Sequence, residues 1–162
     1  MASAVLDNDP QTAQDVARGV SRLLWRAGIA PLTEIPLGNG RRADIVGLGS
    51  DGRITIVEIK VALADLRGDA KWPEYLDYCD RYFWAVPHSF PLGDFDTAAF
   101  LPERTGLIIA DRWDAIELRP AAWVLLHASR RKAETLRFAQ RGAQRLLWLN
   151  DPGAAEGPRL SN

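Results

Sequence analysis

The chain has 162 residues, 47% hydrophobic and 25% charged, a size and composition that suit one domain with a core of its own and exclude wholesale disorder. Its one cysteine, Cys79, excludes an internal disulfide, a CxxC redox motif and a two-cysteine metal site, and the distant His88 and His127 offer no zinc spacing. With 20 Lys+Arg against 21 Asp+Glu, the net charge of −1 gives no overall signal for nucleic acid, although a local patch stays open.

Residues 1–9 read as a flexible start. Asp9-Pro10 is a helix opening, with Asp as N-cap and Pro in the first turn. Val16, Val20, Leu23 and Ala27 continue at helical spacing towards Gly28, and Arg18, Arg22 and Arg26 form a second stripe expected to face solvent. Three strands follow at 31–37, 41–48 and 53–61. The turns Gly38-Asn39-Gly40 and Ser50-Asp51-Gly52 make them an antiparallel meander. Residues 62–80 read as two helical pieces, with Pro73 in a first turn. Residues 81–86 are a short apolar strand. The stretch 87–104 is long for a structureless loop and is expected to hide a short helix. A hairpin is expected at 105–110 and 115–119, turning at 111–114, then a long helix at 127–149 and a flexible tail at 151–162. One domain over 10–150 results. No run reaches the ~18 apolar residues of a membrane span, and the start lacks a signal peptide's basic-then-apolar order. A soluble, cytoplasmic protein that does not engage membranes is expected.

The segment 41–60, RRADIVGLGSDGRITIVEIK, is the informative one. Side chains alternate along a strand, so Ile54, Ile56, Glu58 and Lys60 share one face. A tight hairpin brings Asp44 of the preceding strand beside them. The third strand is apolar on both faces, as in a covered strand, and charges there are costly unless paired or metal-bound. Phosphodiester hydrolysis needs these groups. Two hard carboxylates hold Mg²⁺ or Mn²⁺, the ion activates a water, and a lysine stabilises developing charge or orients that water. The competing reading is an ion pair between Glu58 and Lys60 on a sheet face.

The order α-β-β-β-α-β, with ADIVGL on one strand and IVEIK on the next, resembles the PD-(D/E)XK nuclease superfamily. The run RRADIVGL, VEIK and DLRGDAKWPEYLDYCDRYFWAVP resembles, more closely, the MmcB family of bacterial DNA-repair proteins, over residues 10 to 150. The resemblance implies an α/β, restriction-endonuclease-like core with a mixed sheet between helices. It implies a metal-dependent deoxyribonuclease acting in DNA repair, with DNA and other repair proteins as partners. Asp44 matches the metal-binding aspartate, Glu58 the second acid and Lys60 the catalytic lysine, and the Ile59 carbonyl would be a metal ligand. For a further acid the candidates are Asp15 and Glu34, of which Glu34, on a strand nearer the others, is preferred. The motif's proline is replaced by Ala43. The alternative is a non-catalytic DNA-binding or partner-docking module on the same fold.

Beyond Lys60, Lys71, Tyr75 and Tyr78 fall at α-helical spacing on one face. In the superfamily this helix lends polar groups to the site, so Lys71 and Tyr75 become candidates for contacting the scissile phosphate. Trp72, Leu76 and Cys79 read as core. The helix 127–149 carries Arg130, Arg131, Lys132, Arg137, Arg141 and Arg145 against one acid, Glu134. Arg130, Arg137, Arg141 and Arg145 share a face, a candidate phosphate-binding rail, with Ala133, Leu136, Ala143, Leu146 and Leu147 as the expected apolar underside.

Overall fold

The computed structural model describes residues 10–156. The expected flexible start, 1–9, and the tail from 157 on lie outside the described residues. The helix α1, Ala13–Arg26, opens later than the sequence suggested. Its N-cap is Thr12, whose hydroxyl accepts from the Asp15 N–H (3.1 Å) while the Asp15 carboxylate accepts from the Thr12 N–H (2.9 Å). This reciprocal box satisfies two orphan donors of the first turn. Asp15 is thereby a capping residue rather than a site acid.

Six strands follow: β1 Ile29–Pro36, β2 Arg42–Gly49, β3 Ile54–Ile59, β4 Arg81–Val86, β5 Thr105–Ala110 and β6 Ala115–Arg119. They form one mixed sheet in sequence order. The pairs β1–β2, β2–β3 and β5–β6 are antiparallel, as the tight turns demand, and β3–β4 and β4–β5 are parallel. Parallel neighbours need crossovers. The first contains the helix α2, Leu63–Gly68, and a 3₁₀ segment over Trp72–Tyr78; the second contains 3₁₀ turns at Gly93–Asp96 and Ala98–Phe100.

All six residues of β3 are buried. On one face α1 sets Val16, Val20 and Leu24 against Ile45, Val57, Ile59, Phe83 and Ile108. Gly19 permits this approach, because a Cβ there would lie 2.1 Å from the Asp111 carbonyl oxygen. The arginine stripe of α1 is tied to the β5–β6 turn instead of facing only solvent. Arg22 donates to the Trp113 carbonyl (2.8 Å), Arg26 pairs with Asp114, and Arg18 lies over the Trp113 ring. On the other face the aromatic residues Trp72, Tyr75, Tyr78, Tyr82, Trp84, Phe95 and Phe100 pack on Ile54 and Ile56. Trp72, Tyr75 and Tyr78 recur every three residues, the 3₁₀ period, and are buried together. The expected α-helical face joining Lys71 to the two tyrosines therefore does not form: Lys71 is the exposed residue before the first turn.

The last helix, α3, Ala128–Asn150, departs most from expectation. Of its described side chains only Glu134 is buried, and Ala133, Leu136, Ala143, Leu146 and Leu147, expected beneath the helix, face solvent. α3 meets the protein body through its basic side and through Phe138, which packs on the aromatic core. Arg131 forks onto the buried Asp80 (2.6 and 2.7 Å) and Arg130 lies 4.2 Å from the Tyr78 ring centroid.

Candidate functional site

β2 and β3 bring the central acids together. Ile45 pairs with Val57, so Asp44 and Glu58 stand next in register on adjacent strands. Each is anchored by a backbone N–H of the neighbouring strand: the Asp44 N–H donates to Glu58 Oε1 (3.0 Å), and the Ile59 N–H donates to Asp44 Oδ2 (2.8 Å). Asp44 Oδ1 and Glu58 Oε2 accept no hydrogen bond among the described residues. Both acids border a cleft of about 580 Å³ lined also by Arg42, Ile59, Lys60, Asp65, Asp69 and Tyr75.

The electrostatics follow from this placement. Glu58 is 4% exposed. Burial, then the neighbouring Asp44 carboxylate, push its pKa up to about 9 against one backbone hydrogen bond and the Lys60 charge. Burial also raises Asp44, opposed by the Ile59 N–H and Lys60. At neutral pH, without a cation, Glu58 holds its proton. Burial works against the Lys60 ammonium, but Asp69, at 2.8 Å, and Asp65, at 3.7 Å, more than offset it and raise its pKa. Lys60 therefore stays charged at the cleft wall. The Tyr75 hydroxyl donates to the Arg42 carbonyl (3.0 Å), and burial raises its pKa.

The other candidates are placed differently. In the β1–β2 register Glu34 falls between Thr33, opposite Ile45, and Ile35, opposite Ala43, which sets it level with Asp44. Its φ of 51° breaks the regular strand geometry. Its carboxylate lies 3.6 Å from Arg42, and the residue lines a second cleft of about 370 Å³ with Asp44, Gln14 and Arg18. Lys71 borders neither cleft. Of the arginine rail, Arg145 donates to the Glu34 carbonyl (3.0 Å), Arg141 binds Gln144 (3.0 Å), Arg137 lies 3.4 Å from Glu134, and Arg130 covers Tyr78. Asp69 and Asp65 were given no role from sequence. The visible signal was two acids within nine residues of Lys60, on a short helical return after the strand.

Three comparisons bear on what this α/β protein is. A model of the DNA repair protein MmcB-like family matches residues 3–153, and the chain belongs to that family. Among solved structures the chain is similar to the SPO1766 protein of unknown function from Silicibacter pomeroyi. The two are 42% identical over 97% of this chain and 100% of that one, with a TM-score of 0.79. No curated protein matches it significantly. The family points to a role in DNA repair. Among the described residues no helix is long and apolar enough to cross a membrane.

Proposed function

We propose that the protein is a metal-dependent deoxyribonuclease with a PD-(D/E)XK-type core, acting on DNA in repair. One observation carries this reading: Asp44 and Glu58 meet across β2 and β3, each with one uncommitted carboxylate oxygen, beside a charged lysine at an open cleft. The donors are hard oxygens, and two carboxylates rather than three suit Mg²⁺ or Mn²⁺, which binds through one or two carboxylates and keeps several waters. Asp44 and Glu58, with the Ile59 carbonyl, would hold the ion; when bound it supplies an activated water and draws charge from the phosphate. The Lys60 ammonium stabilises negative charge at the same cleft. Arg42, at the cleft, and Arg145, against the neighbouring strand, are further cations for a DNA backbone entering there. Asp69 holds Lys60 in place, and Tyr75 fixes the start of β2.

A second reading has its own support. Lys60 already contacts two carboxylates, and no group of three metal-ligating side chains occurs among the described residues. Both facts fit a non-catalytic DNA-binding or partner-docking module.

The test is cleavage of flap, nicked, single-stranded and duplex DNA in Mg²⁺ or Mn²⁺. The nuclease reading expects cutting that chelator stops and that Asp44→Ala and Lys60→Ala abolish while DNA affinity persists. Neutralising Arg42 and Arg145 should weaken binding and flatten its salt dependence, since fewer counterions are released. DNA bound by the wild type but never cut makes the module the better account.

A further inference from the structure

The long C-terminal helix presents its apolar side to water. An amphipathic helix ordinarily buries that side and leaves its charges exposed. In α3 the basic side is turned inward and the leucines outward. Arg130, Arg131 and Arg145 engage Tyr78, Asp80 and the Glu34 carbonyl of the protein body and Phe138 packs on the core, while Leu136, Leu146 and Leu147 are 57%, 62% and 52% exposed. Ala139 and Ala143, between the leucines, are exposed as well. A contiguous apolar face of this kind marks an interaction surface.

Its spacing indicates the occupant. Leu136, Ala139, Ala143, Leu146 and Asn150 follow at alternating intervals of three and four, the seam of a helix pair. From Leu136 to Leu146 the stripe also reads the same from both ends. Two antiparallel copies crossing near Arg141 set Leu136 against the partner's Leu146 and Ala139 against the partner's Ala143. Lys132 then meets the partner's Asn150. A two-fold interface requires this self-complementarity, in which residue i meets j and j meets i. Alanines at the centre let the helices approach closely, within the 8–10 Å range of packed pairs. From Leu136 to Asn150 the outward stripe is free of charge, so two copies meet without repulsion and the face offers no cation to a phosphate backbone.

We propose that this face is the seat of a second copy of the chain, with α3 packed antiparallel on α3. The inference is independent of the nuclease reading.

Sedimentation of the full chain tests it. The expected mass is twice the 17.9 kDa of the chain, and Leu146→Glu should give a monomer with an unchanged far-ultraviolet spectrum. Leu146 is exposed in the single chain, so its replacement leaves the fold in place. Orientation is read by cross-linking. An equal mixture of Leu136→Cys and Leu146→Cys chains should oxidise to a disulfide between unlike chains, whereas either variant alone should not link, because its two thiols lie about ten helical residues, ~15 Å, apart. The native Cys79 is buried and does not compete. A monomeric wild type overturns the proposal, as does a Leu146→Glu chain that stays dimeric or a single variant that links to itself. A monomer that sediments with anionic lipid vesicles would assign the face to a membrane surface instead.

Discussion

Asp80 and Glu58 are buried carboxyls at opposite ends of the two central strands, and their surroundings drive them in opposite directions. Asp80, immediately before β4, accepts from the Ile54 N–H (2.7 Å), the Leu126 N–H (2.8 Å) and both arms of Arg131 (2.6 and 2.7 Å). Burial opposes its charge, but Arg131 and the two backbone donors prevail and hold its pKa below the usual carboxylate range. Glu58, at the end of β3, has one backbone donor and a second carboxylate for a neighbour, and its pKa rises to about 9. A carboxylate that serves the fold is surrounded by donors. The Asp44–Glu58 pair retains acceptor capacity that the described residues do not fill, at a cleft where a cation can reach it.

The largest expected effect lies at Asp80. Asp80→Ala strands Arg131 and the Ile54 and Leu126 amides, and should cost about 3–5 kcal/mol in denaturant unfolding, as breaking a buried ion pair does. Next comes Glu58→Gln. With chelator present at pH 8, it should raise stability rather than lower it, because the native chain must protonate a carboxyl that is ionised when unfolded. The signs differ with pH. Glu58, raised in the fold, contributes stability fully below the ordinary value of 4.5 and loses it as pH climbs towards 9. Asp80, lowered in the fold, contributes above the ordinary value of 3.8 and loses it as pH falls through its depressed value. Wild-type melting in chelator should therefore decline from pH 5 to pH 9, and the Glu58→Gln profile should be flatter. If Glu58→Gln destabilises as much as Asp80→Ala, the contrast collapses and Glu58 belongs to a structural ion pair. The smallest effect is expected from Asp69→Asn, about 1 kcal/mol. Asp65 and Glu58 still face Lys60, and its pKa should fall when titrated by NMR.

The strands around the site were legible in the sequence because three signals agreed. Glycine turns at 38–40 and 50–52 limited the register, β-branched residues filled 54–59, and side-chain alternation put Glu58 and Lys60 on one face. The helix at 13–26 was legible from its apolar period. Its start was not, because Asp-Pro at 9–10 and Thr-x-x-Asp at 12–15 are competing caps, and only the second closes a reciprocal box. The 3₁₀ segment at 72–78 escaped α-helical spacing because its period is three, which buries Tyr75 with Trp72 and Tyr78 and leaves Lys71 outside. The orientation of α3 was illegible for a deeper reason. A leucine stripe ordinarily faces a core, and nothing local to the helix announces that Asp80, 51 residues from Arg131, turns the basic side inward. Asp69 was missed because its role appears only when the chain folds back onto Lys60.

The central claim is that the unfilled oxygens of Asp44 and Glu58 form a seat for a divalent cation. Calorimetric titration of the full chain with Mn²⁺ near pH 7, in two buffers of different ionisation heat, measures binding and proton release together. The account predicts saturable binding with release of about one proton, from Glu58, since a carboxyl must ionise to ligate, and loss of that binding in Asp44→Ala. No binding by the wild type, or binding that Asp44→Ala leaves unchanged, would contradict it.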